Sequence, residues 1–378
     1  MGFLKLAAAA AAISVVSFGV SPASADQGTV IGLPGPPVGV AASSDGTVFV
    51  TRYDWSGGMF VLTPGARVPA RTVRTGNFPT SVASAPDGTL YLVQSGGSDQ
   101  REIAVLPGAA DEVARTIPVS HGEHWLAAGP DGSLFVANPN EGTVSVILPD
   151  AATIARTIKV GAGPRAVAVA KDGTAFVTNE HSGTVSVIPA GSGTASRTID
   201  VGRKSNPHGI AAAPDGTVYV TNVLTDEVVV IEPKTAAVAR RIPVGRSPQE
   251  VAAGPDGSIY VTNSVDRTVS VIGPGESDVT RTVPVGKEPG RLAVTPDGTV
   301  YVANRAGNSV SVLSSEATAA KAGSATPEAG PAAGPEPLQD SSNKAEVSFF
   351  IGGGAAVLLG ALVGVGFWLR QRAKRKAA

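Results

Sequence analysis

The sequence predicts an all-β protein, a seven-bladed β-propeller closed by an N-terminal strand, followed by a linker and one C-terminal transmembrane helix. Three columns of residues carry the propeller prediction. An Asp-Gly pair recurs at Asp45, Asp87, Asp131, Asp172, Asp215, Asp256 and Asp297, in steps of 42, 44, 41, 43, 41 and 41 residues. Four residues after each Asp stands an aromatic: Phe49, Tyr91, Phe135, Phe176, Tyr219, Tyr260 and Tyr301. Four residues before each stands an alanine: Ala41, Ala83, Ala127, Ala168, Ala211, Ala252 and Ala293. A unit of about 42 residues has the length of a four-stranded propeller blade. The 46 Gly and 29 Pro, with only 16% charged residues, agree with many short strands joined by turns.

Each repeat reads as four strands. In the fourth copy they are Ala166-Val167-Ala168-Val169, Ala175-Phe176-Val177-Thr178, Val185-Ser186-Val187-Ile188 and Arg197-Thr198-Ile199-Asp200-Val201, with the turn Asp172-Gly173 between the first two. Their side chains alternate with the strand period of two. Asp-Gly supplies the positive φ of a tight hairpin. The alanines are expected where first strands crowd the central axis, and the aromatics in the wider gap between blades. The seventh repeat ends at Leu313 without a fourth strand, which would leave an open edge. Thr29-Val30-Ile31-Gly32-Leu33 places Ile31 and Leu33 six and four residues before Pro37, as Ile158 and Val160 stand before Pro164. The N-terminal segment is therefore expected to complete the last blade and close the ring.

The two ends set the compartment. Residues 1–25 read as a secretory signal peptide: Lys5, an uncharged stretch from Leu6 to Val20, then Ala23 and Ala25 in small-x-small spacing. The propeller is expected over 26–313. Residues 314–346, rich in Ala, Gly and Pro, read as a disordered tether reaching roughly 30 Å. Val347 to Leu369 contains no charge over 23 positions and is long enough to span a bilayer as a helix. The tail, 370–378, carries Arg370, Arg372, Lys374, Arg375 and Lys376, so the positive-inside rule puts it in the cytoplasm and the propeller outside. Gly352, Ala356, Gly360 and Gly364 form a small-residue stripe on which two such helices are expected to pair into a dimer.

Setting aside Lys5 and the five tail cations leaves 24 basic against 31 acidic residues, a net charge of −7 for the exported part. That balance, with no basic stripe, argues against nucleic acid as a partner. The absence of Cys removes disulfides, thiolate metal sites and cysteine nucleophiles.

Tyr219-Val220-Thr221-Asn222 and Tyr260-Val261-Thr262-Asn263 are literal YVTN signatures, with variants Phe176-Val177-Thr178-Asn179 and Tyr301-Val302-Ala303-Asn304. The chain resembles the YVTN-family, YncE-like propellers over residues 28–313. Blades one and two depart, with Arg52 and Gln94 in the Asn column. The resemblance implies a surface-bound or exported propeller and no shared catalytic motif.

Loops leading into each first strand, and those between second and third strands, share one face of a propeller, where function concentrates. All four histidines fall there: His121, His124, His181 and His208. The residue just before each inner strand is expected at the channel mouth, giving Val38, Thr80, His124, Arg165, His208, Gln249 and Gly290, with Trp125, Glu250 and Arg291 in the adjacent column. The polar members, His124, Arg165, His208, Gln249, Glu250 and Arg291, form the candidate ligand-binding set. Two His and one Glu make a poor metal site, no nucleophile elbow is present, and neither metal, cofactor nor catalytic residue is assigned. His124 with Glu250 would make an acid-base pair if they met. The favoured reading is a membrane-anchored binding or scaffolding module for a protein, glycan or small-molecule ligand at the cell surface. The alternative is a propeller hydrolase or lyase acting on a small exported substrate at the channel mouth.

Overall fold

The structure, a computed structural model, describes residues 28–314 apart from 56, 97–99, 109, 121, 123 and 234. The signal peptide, the tether beyond Ser314, the apolar span, the basic tail and His121 lie outside the described residues. Among those described, no helix is long and apolar enough to cross a membrane.

Twenty-eight strands form seven four-stranded antiparallel sheets, each running from an inner strand outward. Blade four shows the pattern: Pro164–Val169, Ala175–Asn179, Thr184–Ile188 and Arg197–Asp200. The seventh sheet is composite. Thr29–Gly32 pairs antiparallel with Ser309–Leu313, setting Thr29 opposite Val312 and Ile31 opposite Val310. The Leu33 amide extends the ladder by donating to the Asn308 carbonyl at 2.8 Å. The open edge left by the three-stranded last repeat is thus paired by the chain's own beginning, as the offset from Pro37 predicts.

The Asp-Gly hairpins repeat one geometry. Every glycine of the pair has φ between 81° and 88°, a conformation that costs any residue with a Cβ. Each Asp accepts a hydrogen bond from the amide two residues on, at 2.9 to 3.0 Å. In the first and last blades a hydroxyl two residues before the Asp adds to this. Ser43, then the Thr47 amide, holds Asp45 below the usual carboxylate range, and Thr295, then the Thr299 amide, does the same to Asp297.

The alanine and aromatic columns turn out to be one feature. Ala41 faces Phe49 across the first strand pair, and the same register recurs through Ala293 and Tyr301. A methyl group opposite the ring leaves room for it to lean toward the next blade. The core divides accordingly into seven clusters, one per blade interface. Phe176 of blade four packs with Ile210, Val218 and Val220 of blade five, and Tyr301 of blade seven with Val40, Val48 and Val50 of blade one. Each alanine thus sits on an inner strand directly opposite an aromatic on the second strand.

Candidate functional site

The signature Thr builds the channel mouth. In blades one, four, five, six and seven the inner strand begins with Pro and then slips register, as between Pro207 and Ile210 or Pro248 and Val251. One extra residue is accommodated there, and such bulges re-aim side chains. In blades one, four, five and six a Thr on the second strand fills the gap. Thr178, Thr221 and Thr262 accept from the amides of Ala166, Gly209 and Glu250 at 2.8 to 3.1 Å. The same hydroxyls donate to the neighbouring blade, Thr178 to the His208 carbonyl at 2.9 Å, Thr221 to Gln249 at 3.2 Å and Thr262 to Gly290 at 2.7 Å. The signature Asn secures the adjacent hairpin: Asn263 donates to Thr268 at 3.0 Å and Ser270 at 2.9 Å. Val38, Arg165, His208, Gln249 and Gly290 thus stand second in their strands, at the bulge, rather than before them.

A cavity of about 360 Å³ occupies this end of the channel, and all six polar candidates line it. Trp125, first residue of the blade-three inner strand, forms one wall. The Arg165 guanidinium lies 4.0 Å from the centre of its ring and that of Arg291 5.7 Å, both within cation–π range. Arg165 also pairs with Glu180 at 3.4 Å. Arg291 makes a close ion pair with Glu250, which is only 7% exposed. Glycine at 209 makes that carboxylate possible, because a Cβ there would stand 2.7 Å from Glu250 Oε1.

His208 donates from Nδ1 to the Gln249 carbonyl at 2.8 Å. Burial, and then the cations Arg165 and Arg291, push its pKa down to about 3. The ring is neutral at physiological pH, with its proton on Nδ1 and a lone pair on Nε2. Gln249 donates from Nε2 to Ser247 Oγ at 2.9 Å.

His124 behaves differently. It is 1% exposed, with Nδ1 3.0 Å from the Ala137 carbonyl and Nε2 2.7 Å from that of Ser120. Its ring shapes the wall, and both nitrogens are occupied by backbone. His181 is exposed on a blade-four loop, against Gly163. Among the described residues no group of three or more His, Asp or Glu is placed to hold a metal ion.

Sequence reasoning missed a group beside the mouth. Tyr53, which lines the cavity, and Trp55 both pack on Phe78, with ring centres 5.2 and 4.6 Å apart. The available signal was length: the loop after the second strand has six residues in blade one, 53–58, against four in blades three to seven.

Fold and site together define a seven-bladed propeller with a polar cavity at one mouth of its channel. The chain belongs to the virginiamycin B lyase family, whose model matches residues 25–312. By sequence it matches none of the curated proteins. Among solved structures it is similar to hydrazine synthase of Kuenenia stuttgartiensis, with TM-score 0.66 and 22% identity over 75% of this chain and 96% of that one. It is also similar to virginiamycin B lyase from Staphylococcus aureus, with TM-score 0.63 and 13% identity over 75% and 97% of the two chains. A streptogramin B lyase gives TM-score 0.62 and 15% identity over 75% and 95%. At these identities the likeness is one of fold.

Proposed function

We propose that the protein is a membrane-anchored, extracytoplasmic propeller that captures a ligand at its channel mouth, as a binding or scaffolding module at the cell surface. The observation that carries this reading is the convergence of Arg165, His208, Gln249, Glu250 and Arg291 with Trp125 on one cavity. The chemistry favours recognition over turnover. Both arginines already face carboxylates, and a histidine with a pKa of about 3 is far from the operating pH at which a general base works best. What the cavity offers is a fixed set of donors, one imidazole acceptor and an indole wall. The YVTN-like signatures and the apolar, positively flanked C-terminal segment support surface display.

Protease treatment of intact cells should release a fragment containing the propeller by cutting within 314–346. Recovery of the protein only from the medium, lacking 347–369, would remove the anchored reading. For the site, replacing Arg165, His208 and Gln249 together by Ala should abolish ligand capture while the melting curve keeps a single cooperative transition.

Lyase chemistry is the second reading, favoured by family membership and by His208 and Glu250 lining one cavity. Its test is consumption of virginiamycin B by the purified chain. Turnover that disappears in His208→Ala would place this reading first.

A further inference from the structure

We propose that the ligand is a carbohydrate chain, and that Tyr53 and Trp55 form an aromatic subsite holding one of its pyranose rings beside the polar cavity. The proposal rests on the channel mouth being the binding site and adds the class of ligand. Its basis is a loop built to hold an indole in solvent. Arg52 clamps the loop from both sides, pairing with Asp54 at 2.6 Å and donating to the Gly57 carbonyl at 2.9 Å. The amides of Gly57 and Phe78 both donate to the Asp54 carbonyl, at 3.2 and 3.0 Å. Gly57 approaches Gly76 so closely that a Cβ would stand 2.4 Å from its carbonyl oxygen. Between these contacts Trp55 is 76% exposed.

Phe78 supports the platform at a conformational cost. The residue before the inner-strand Pro is left-handed in several blades, and elsewhere it is Gly163, Asn206, Ser247 or Glu288. Blade two places Phe there at φ 48°, a conformation strongly disfavoured for a bulky side chain. Its ring backs both Trp55 and Tyr53.

The occupant follows from what adjoins the platform. An apolar side chain of a peptide is best held in an enclosed pocket, whereas the Trp55 face is open. Tyr53 continues it into a cavity lined by Gln249, Glu250 and Arg291, planar groups that bond in pairs to vicinal donors and acceptors. A pyranose matches both halves, with a flat C–H face for the aromatic rings and a rim of hydroxyls for the polar side chains. His208 Nε2 accepts from one such hydroxyl.

The test presents the full-length protein, in detergent micelles, to an array of immobilised oligosaccharides of neutral hexoses, N-acetylhexosamines and uronic acids, and in parallel to a peptide array. Sugar retention is expected, with Trp55→Ala weakening it about five- to tenfold, the scale of one aromatic contact. The melting curve of that variant should not move, and Val265→Ala, on another loop, should bind as wild type. Absence of sugar retention, or full retention by Trp55→Ala, overturns the proposal. Peptide retention without sugar retention, lost in His208→Ala, overturns the ligand class and leaves the channel mouth as the site. Retention of neither class counts against both.

Discussion

His208 Nδ1 lies 2.8 Å from the carbonyl oxygen of Gln249, the residue at the equivalent bulge of the next blade. The contact fixes one tautomer and leaves no place for a second proton, because burial and the cations Arg165 and Arg291 oppose it. The unfolded chain binds that proton near pH 6.5, and the folded protein only near pH 3. Between these values protons favour the unfolded state, so stability should fall as pH drops through 6.5 and continue falling to about 3. Above pH 6.5 this residue contributes no pH dependence.

His208→Asn should flatten that slope, since an Asn amide can still donate to the Gln249 carbonyl without titrating. Melting curves from pH 7.5 to 4.5 are the measurement, with a loss of several degrees expected in wild type and less in the variant. Asp45 and Asp297 do not confuse the window. Hydroxyl and amide donors hold their carboxyls below the ordinary aspartate value of 3.8, so most of the stability they contribute is lost only as pH falls below it. Equal slopes in the two proteins would refute the assignment of His208 as a buried neutral base.

Ring closure should depend on one face of the N-terminal strand. Ile31 is fully buried and packs with Tyr301 and Val310 as well as Val40 of blade one. Ile31→Ala should cost about 2–5 kcal/mol, seen as a clear drop in melting temperature. Val30, the neighbour on the opposite face, is 60% exposed, and Val30→Ala should change little. If the two substitutions behave alike, the strand does not hold the last blade.

Much of this architecture was legible because it is local and repeated. The hairpin at Asp172-Gly173, the aromatic at Phe176 and the outer strand at Ile31 each follow from spacing along the chain. The relation of Ala168 to Phe176 is half legible: both columns stand in the sequence, but their cross-strand register does not. Contacts between blades were hidden for a different reason. Glu250 and Arg291 are 41 residues apart, close to one repeat period, and nothing in a single copy says which side chains turn toward the neighbour. The bulges that turn them appear only in the register slips after Pro248 and Pro289. His124 lines the cavity with the other five, but its surroundings are equally hidden in a single copy. Its column has the right spacing, but blade three has no bulge in its first strand pair, and the ring folds back onto the Ala137 and Ser120 carbonyls. Tyr53 and Trp55 escape the pattern because they sit in blade one, where Arg52 replaces the signature Asn, and the Phe78 beneath them belongs to blade two.

The signature Thr should behave as a linker between blades. Thr262 accepts from the Glu250 amide at 3.1 Å and donates to the Gly290 carbonyl at 2.7 Å, in buried surroundings. Thr262→Val keeps the shape and removes both bonds, leaving a buried amide and a carbonyl unpaired at about 1–3 kcal/mol. Thr262→Ser retains the hydroxyl and should recover most of that loss. Chemical denaturation distinguishes them. A Val variant as stable as wild type would show that packing, not the hydroxyl, selects Thr.

The Glu250–Arg291 pair joins blades six and seven across the cavity floor, and its two members should not be equivalent. Arg291→Gln strands a carboxylate that is 7% exposed with Gly209 packed against it, a situation that costs about 3–5 kcal/mol when a buried pair is broken. Glu250→Gln leaves the cation instead, and Arg291 has the Trp125 ring within 5.7 Å and more access to water, so the loss should be smaller. In the double variant two neutral amides can bond to each other, and much of the Arg291→Gln penalty should disappear. Denaturation midpoints of the four proteins close the thermodynamic cycle, with a favourable coupling of about 1–3 kcal/mol expected for two residues in contact. Strictly additive losses would mean that the two side chains do not interact in solution and that Arg291 stands free to meet a ligand on its own.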